Sequence, residues 1–151
     1  MAVRIVTDST CDLPAELVAQ HGIVVVPLTV SFGETSFLDG VELGPDAFYE
    51  RLAAAADLPK TSQPSVERFR RVYDELAGAG IVSIHISARL SGTLNSATLA
   101  AGQLPGTVVR LVDSRTASMG LGAVVLEAAL AAGAGATLDQ VPTAPGRVRD
   151  R

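Results

Sequence analysis

Short runs of aliphatic and β-branched residues recur along the chain, and most are followed by a stretch whose apolar residues have helical spacing. The runs predict buried strands, and the stretches between them predict amphipathic helices. Strands are predicted at 4–7, 23–26, 81–86 and 108–112, and helices at 13–21, 44–56, 64–77, 92–104 and 118–132. This alternation predicts an α/β fold, with a mainly parallel sheet flanked by helices.

One segment departs from the alternation of strands and helices. Apolar residues alternate with polar or small ones from Leu28 to Phe32, and a Gly33-Glu34 turn leads into a second short run at 35–38. Period-two alternation on one side of a turn, followed by a second run, predicts a β-hairpin insertion. A further turn is predicted at Asp39-Gly40, where the chain leaves the hairpin.

The segments between these elements carry weaker signals. Asp12 is predicted to cap the first helix, and residues 61–63 are predicted to form a loop. From Gly133 onward the periodicity fades, and the final stretch is rich in proline, glycine and arginine. We therefore predict one domain over 1–140 and a loose C-terminal tail over 141–151.

Composition narrows the classes of function. Hydrophobic residues make up 48% of the chain and charged residues 19%, which is enough apolar material for a core. The net charge of −4 argues against nucleic-acid binding, for which a basic stripe is typical. Cys11 is the only cysteine, and the first residues lack the pattern of a signal peptide, so a reducing cytoplasm is expected. The apolar stretch 121–136 contains Glu127 and predicts a buried helix rather than a membrane span.

Polar loops follow the predicted strands at their carboxyl ends, where open parallel sheets bind ligands. These loops offer hydroxyl groups and, at helix starts, backbone N–H groups that bind anions. The loop that most strongly indicates a binding site is Ser91-Gly92-Thr93. Thr61-Ser62 precedes another helix and offers the same groups. On spacing alone an ordinary helix N-cap is the more frequent explanation for both.

Motifs for catalysis are scarce. The sequence has no phosphate-binding loop, no nucleophile elbow and no pair of His or Cys with metal-ligand spacing. His85 lies in a predicted strand and is interpreted as a hydrogen-bonded core histidine, whereas Gly120-Leu121-Gly122 is interpreted as a helix-packing site. Structural roles also explain the other candidates, which are a helix end for His21, a buried small residue for Cys11, and turn or cap positions for Asp8 and Asp12.

Several motifs in a fixed order resemble the DegV family. Together they cover roughly residues 3–140. The matching segments are 3–13, 26–30 with the turn at 39–41, 60–65, 86–93, 112–114 and 120–122. The Lys60-Thr61-Ser62-Gln63-Pro64-Ser65 segment resembles the family's Thr-Ser-Gln-Pro motif, and Ser91-Gly92-Thr93 resembles its Ser-Gly-Thr motif.

The resemblance implies a non-enzymatic protein that binds one long-chain fatty acid and needs no cofactor. In that family the acyl chain lies between two domains, and a fatty acid kinase subunit phosphorylates the carboxylate. Carried over by motif, Thr61 and Ser91 are expected to bind the carboxylate. The residues expected to support that site are Ser62, Gly92, Thr93, Ser9 and Ser114.

The resemblance also implies a second domain that the chain, which stops at Arg151, is expected to lack. An apolar wall left uncovered in this way favours a homo-oligomer through the exposed face or transient contact with a membrane surface. Two alternatives remain open at the level of sequence. One is a small kinase or transferase domain of the related dihydroxyacetone-kinase fold, and the other is a truncated remnant that no longer binds lipid.

Overall fold

The computed structural model describes residues 1–144, so most of the predicted tail, 145–151, lies outside the described residues. The described part contains two sheets and five α-helices, with a 3-10 turn at Ser9–Cys11. The strands are β1 (Val3–Asp8), β2 (Val24–Val26), β3 (Thr29–Phe32), β4 (Thr35–Leu38), β5 (Lys60–Ser62), β6 (Gly80–His85) and β7 (Val108–Asp113). The helices are α1 (Ala15–Gln20), α2 (Pro45–Ala54), α3 (Val66–Glu75), α4 (Thr93–Gly102) and α5 (Ser118–Gly133).

The larger sheet is four-stranded and parallel, with the strand order β2-β1-β6-β7. Its central strand β6 is buried along its whole length, because helices cover both faces of the sheet. The predicted α/β fold with a mainly parallel sheet is therefore confirmed. None of the helices within residues 1–144 is long and apolar enough to cross a membrane.

The two faces of this sheet carry different helices. On one face α5 packs against the sheet with partly buried residues of α1, and the hydrophobic residues buried there are aliphatic apart from Cys11. On the other face α3 and α4 cover the sheet, and the two large buried side chains are Phe69 and Tyr73. Because strand side chains alternate between faces, Ile5 and Thr7 belong to the α5 face, and Val6 and Asp8 to the α3/α4 face.

The smaller sheet is antiparallel, in the order β4-β3-β5. Strands β3 and β4 form the predicted hairpin, with Phe32 opposite Thr35 at the turn. The prediction of a loop at 61–63 is wrong, because Lys60–Ser62 forms β5 and pairs with β3. All three residues of β5 are exposed and polar, so the strand depends on backbone pairing and leaves no apolar alternation in the sequence.

Two local predictions also need correction. Asp12 does not cap α1, because its backbone is left-handed (φ 52°) and the helix begins only after Pro14. The carboxylate of Asp12 instead accepts a hydrogen bond from Ser118 Oγ at 2.6 Å. Val141, assigned to the tail from sequence, is 2% exposed and belongs to the α5-face core. The Arg110 guanidinium holds this segment by donating to the carbonyl oxygens of Leu138 (2.7 Å) and Val141 (3.2 Å).

Candidate ligand-binding edge

Three loops meet at the carboxyl ends of β1, β6 and β7, and we call residues 8–12, 86–93 and 113–118 the strand-end edge. Backbone hydrogen bonds join the second and third loops, from Ser87 N to Thr116 O (2.9 Å) and from Ser114 N to His85 O (3.1 Å). The Asp113 carboxylate adds a contact, since its Oδ1 accepts from Ala88 N at 3.3 Å. The predicted polar loops are therefore physically adjacent.

The Ser91-Gly92-Thr93 motif forms the start of α4. Gly92 is the N-cap residue and makes no side-chain cap bond. Ser91 satisfies the first turn instead, because its Oγ accepts from Thr93 N at 3.1 Å and lies 2.8 Å from Thr93 Oγ1. Ser91 is half-buried, whereas Thr93 is fully buried. The capping explanation thus holds for part of the motif, and the Ser91 hydroxyl still faces the edge.

The Gln63 side chain joins the small sheet to this motif. A Cβ atom placed on Gly92 would lie 2.6–2.8 Å from the Gln63 amide group, so only glycine allows this approach. Thr61 lies two residues before Gln63 and directly opposite Val30 in the β3–β5 ladder. Paired residues of an antiparallel ladder share one face, and Val30 is 4% exposed, so Thr61 lies on the inward face of the small sheet. Gln63, which follows β5 directly, is the residue that brings this strand to the Ser91 motif.

The other predicted supporting residues are used in different ways. Ser62 pairs with Thr29 and therefore lies on the opposite face of the small sheet from Thr61. Ser9 Oγ accepts from Leu28 N at 3.0 Å and holds the connection between β2 and β3. Ser114 is 5% exposed, and its hydroxyl group bonds within its own loop to the backbone of Thr116. Ser9 and Ser114 thus stabilise the loops that surround the candidate site.

An open cleft of about 550 Å³ lies beside the Ser91 motif. It is formed by the end of the β6 loop and the first turns of α4, and it presents one cation, Arg89. The residues that line it are Ala88, Arg89, Leu90, Ser91, Gly92, Leu94, Asn95 and Thr98. A second depression of about 250 Å³ lies at the opposite end of the sheet and includes His21. The larger cleft therefore coincides with the hydroxyl motif.

A buried chain of four polar side chains ends at the strand-end edge, and the sequence analysis considered only two of its members, Asp8 and His85, each by itself. Asp8 Oδ2 lies 2.9 Å from His85 Nδ1, His85 Nε2 lies 2.7 Å from Ser83 Oγ, and Ser83 Oγ lies 2.7 Å from Tyr73 Oη. All four residues are 0% exposed. The interpretation of His85 as a hydrogen-bonded core residue is confirmed. The signal available in sequence was the period-two spacing of Ser83 and His85, which places both on one face of β6.

Ser83, His85 and Asp8 match the order of contacts in a Ser-His-Asp triad. A nucleophilic serine must reach a substrate, however, and Ser83 is fully buried beneath α3 with Tyr73 bonded to its hydroxyl oxygen. Phe69 closes the cluster from above, with its ring edge-on to the His85 ring at a centroid distance of 5.0 Å. The arrangement is therefore a core network and not a hydrolytic site.

The charges at the edge are set by burial and hydrogen bonds. Burial alone raises the pKa of Asp8, but hydrogen bonds from His85, Thr10 and Ile86 outweigh it and hold that pKa below the ordinary aspartate value. Burial raises the pKa of Asp39 and of the Cys11 thiol. A thiol with a raised pKa is a poor nucleophile, which agrees with the interpretation of Cys11 as a buried small residue.

Backbone strain is also concentrated at the strand-end edge. The non-glycine residues with positive φ among residues 1–144 are Asp12 (52°), Arg115 (58°) and Ser118 (55°), and all three lie in its loops. A Cβ atom on Gly122 would lie 2.5 Å from the carbonyl oxygen of Cys11, so α5 packs directly against the first loop. This contact confirms the packing interpretation of the Gly120-Gly122 segment. Within the described residues no cluster of three or more His, Cys, Asp or Glu could hold a metal ion.

These features define an α/β domain whose polar loops converge at the carboxyl ends of a parallel sheet, the position at which open sheets bind ligands. Over residues 2–151 the sequence matches the family described as "Uncharacterised protein, DegV family". The chain belongs to the DegV family, as the resemblance of its motifs implied.

Relatives of known sequence and structure agree with this assignment. A DegV domain-containing protein from Streptomyces coelicolor is 42% identical over 145 residues, which cover 94% of this chain and 51% of that protein. A DegV family protein from Thermus thermophilus, whose structure is described by its fatty acid binding, is 43% identical with a TM-score of 0.85, over 93% of this chain and 51% of that one. DegV from Bacillus subtilis, described as a fatty acid binding protein, is 34% identical with a TM-score of 0.87, at 93% and 51% coverage. The chain thus spans about half the length of the proteins it matches.

Proposed function

We propose that this chain forms the carboxylate-binding part of a long-chain fatty-acid site, with Thr61 and Ser91 as the ligands of the carboxylate. The observation that supports the proposal is the close approach of the Gln63 amide group to Gly92, which brings the end of β5 to the Ser91 motif. Ser91 lines the open cleft at the start of α4, where a carboxylate can approach. The fatty acid binding described for the relatives supports the same class of ligand.

The hydrogen bonds around Ser91 suit it to donate. Thr93 N–H donates to Ser91 Oγ, and the buried Thr93 hydroxyl group can donate to the same oxygen. With both of these donors directed at its lone pairs, Ser91 keeps its own proton for an incoming carboxylate oxygen. The start of α4 adds the positive end of the helix dipole and first-turn N–H groups, which have no acceptor within the helix.

Affinity in this proposal comes from the acyl chain, and the hydroxyl groups fix its orientation. Burying one methylene contributes about 0.8 kcal/mol, so roughly fourteen methylenes contribute on the order of 11 kcal/mol before ordering costs. The matched segment is about half of each relative, so we assign to this chain one wall of the site and its carboxylate end. Gly92 and Thr93 shape that end, Ser9 and Ser114 hold its loops, and Ser62 takes no direct part because it lies on the opposite face of the small sheet from Thr61.

We further propose that the bound carboxylate is presented to a separate fatty acid kinase, which forms the acyl phosphate. A carboxylate held by hydroxyl groups keeps its nucleophilic oxygen, whereas a buried ion pair with Lys or Arg would lower its reactivity toward a phosphoryl donor. The open cleft beside Ser91 leaves room for a partner at this position. No residue of this chain takes a catalytic role in the proposal.

Native mass spectrometry with lipid extraction tests the proposal. We expect the purified chain to carry a saturated or monounsaturated fatty acid, or to bind added palmitate in a one-to-one complex. A chain that is free of lipid and also fails to bind palmitate would favour a remnant that has lost this function. A measurement of mass in solution on the same sample shows whether a second copy closes the site.

The kinase or transferase alternative is not supported by the placement of the histidines. That alternative calls for a histidine nucleophile directed at the site, but His85 is buried and bonded to Asp8 and Ser83. His21 lines the depression at the opposite end of the sheet from Ser91.

A further inference from the structure

We infer that Asp8 is the positioning residue of the carboxylate site, holding its loops in register through a buried chain of hydrogen bonds that runs to Tyr73. The inference rests on the proposed function for the identity of the ligand. In this inference a single buried carboxylate holds both the loop after β1 and the loop after β6. Asp8 touches no ligand itself and acts through the backbone that it holds.

The contacts of Asp8 divide between two strands. Oδ1 accepts from the backbone N–H of Thr10 at 3.0 Å and from the Thr10 hydroxyl group, which fixes the turn after β1. Oδ2 accepts from Ile86 N at 3.1 Å and from His85 Nδ1 at 2.9 Å, which fixes the first residues of the loop that leads to Ser91. One carboxylate therefore sets the relative position of the strand ends on which the site is built.

The hydrogen bonds of this buried network all donate in the same direction, from Tyr73 toward Asp8. An ionised Asp8 only accepts, so His85 donates from Nδ1 and accepts at Nε2 from the Ser83 hydroxyl group. Ser83 Oγ then accepts from the Tyr73 hydroxyl group, whose one recorded partner within residues 1–144 is Ser83. If donors and acceptors were exchanged along the network, the buried Tyr73 proton would have no acceptor, which is a costly state in a core. The hydrogen-bond pattern thus assigns the His85 proton to Nδ1, with Nε2 as the acceptor.

The residues packed around the hydrogen-bond network keep it rigid. The His85 ring is locked by a hydrogen bond at each nitrogen and by the edge-on ring of Phe69. Neighbouring positions on the same sheet face are aliphatic, namely Val6 and Ile81. The polar residues on this face therefore lie only along the hydrogen-bonded network that leads to the strand-end edge. A network satisfied at every member and closed to water permits little motion.

The test compares Asp8→Asn with Asp74→Asn, an exposed carboxylate on α3 that undergoes the same chemical change. Amide hydrogen exchange is followed in the unliganded full chain, and the ratio of affinities for palmitate and hexadecanol is measured on the same samples. We expect exchange at Thr10 and across 86–93 to rise about tenfold or more in Asp8→Asn, as for the loss of a charge-assisted hydrogen bond. Asp74→Asn leaves it unchanged.

The palmitate preference of Asp8→Asn is expected to fall severalfold, while total burial of the acyl chain is retained. Unchanged exchange in both segments, or a rise spread evenly over the whole sheet, would overturn the inference. If wild type itself shows no preference for palmitate, the proposed function fails, and the exchange result still decides whether Asp8 holds the loops.

Two further measurements keep the inference open to refutation if Asp8→Asn does not fold. The first is the nitrogen-15 spectrum of wild-type His85, which should show a proton on Nδ1 alone; a proton on Nε2 alone would overturn the assigned direction. The second is a pair of substitutions at His85. An asparagine side-chain amide can replace the Nδ1 donor, whereas a glutamine side-chain amide replaces the group at the Nε2 position. His85→Asn should retain the protection of 86–93, and His85→Gln should lose it.

Discussion

The two faces of the parallel sheet are covered in different ways. On the α5 face the core is aliphatic except for Cys11 and Thr7, and it is packed as a protein interior. On the α3/α4 face four polar side chains cross the same sheet, each bonded to the next. Because the strands are shared, the same sheet supports an aliphatic core on one face and a hydrogen-bonded polar network on the other.

The polar network on the α3/α4 face is expected to add little to the free energy of unfolding. Replacing a satisfied buried polar network by aliphatic residues of the same volume is often neutral or stabilising. What distinguishes this network is its position, because it ends at Asp8, where the first two loops of the strand-end edge begin. We therefore assign stability mainly to the α5 face and the geometry of the site to the α3/α4 face.

The largest expected effect is on the α5 face. Leu121 is fully buried, and Leu121→Ala removes its side chain from a core that cannot fully collapse. We expect a loss of about 2–5 kcal/mol in the free energy of unfolding, measured by urea denaturation. Leu130→Ala on the same helix, where the side chain is 53% exposed, is the control and should cost much less. A palmitate preference that changes in Leu121→Ala molecules that remain folded would break the division between the faces.

A smaller effect is expected at the far end of the polar chain. Tyr73→Phe keeps the ring but leaves Ser83 Oγ without its donor, so we expect a loss of about 1–2 kcal/mol in the free energy of unfolding. Tyr49→Phe, at a tyrosine that is 65% exposed, serves as the control with little change. Equal stability of Tyr73→Phe and wild type would mean that the recorded hydrogen bond contributes nothing.

The smallest effect has the opposite sign and lies on the α5 face. Thr7 is 0% exposed, and its hydroxyl oxygen has no hydrogen-bond partner among residues 1–144. Thr7→Val removes that unpaired group at nearly constant volume, so the protein should be unchanged or more stable by up to about 1 kcal/mol. The melting temperature of the variant checks this expectation. A clear destabilisation would show that the hydroxyl group has a partner and that this face also carries a polar network.

Much of the fold could be predicted from periodicity. The strands of the parallel sheet are rich in aliphatic and β-branched residues, and the hairpin alternates with period two, so each left a distinct pattern. Strand β5 left none, because its three exposed polar residues are ordered by pairing with β3. The burial of Val141 was equally invisible, since it depends on the Arg110 guanidinium, which is remote in sequence.

The candidate site could be predicted only in part. The Ser91 motif was a candidate because it lies after a predicted strand and before a helix, and Thr61 because it precedes a helix and matches a family motif. The contact between Gln63 and Gly92 depends on the packing of two sheets, and no local pattern encodes it. The bond between Asp8 and His85 joins residues 77 positions apart, so local turn and core roles were the only interpretations that the sequence offered.

The most direct test of the account is the preference of the full chain for palmitate over hexadecanol, compared between wild type and Ser91→Ala. The two ligands bury nearly the same acyl chain, so their affinity ratio isolates the carboxylate. Ser36→Ala, at an exposed hairpin hydroxyl group bonded to Ser31, is the control. We expect Ser91→Ala to lower the ratio about fivefold or more while hexadecanol affinity and Ser36→Ala stay at wild-type values. A Ser91→Ala variant with the wild-type ratio would contradict the claim that Ser91 binds the carboxylate.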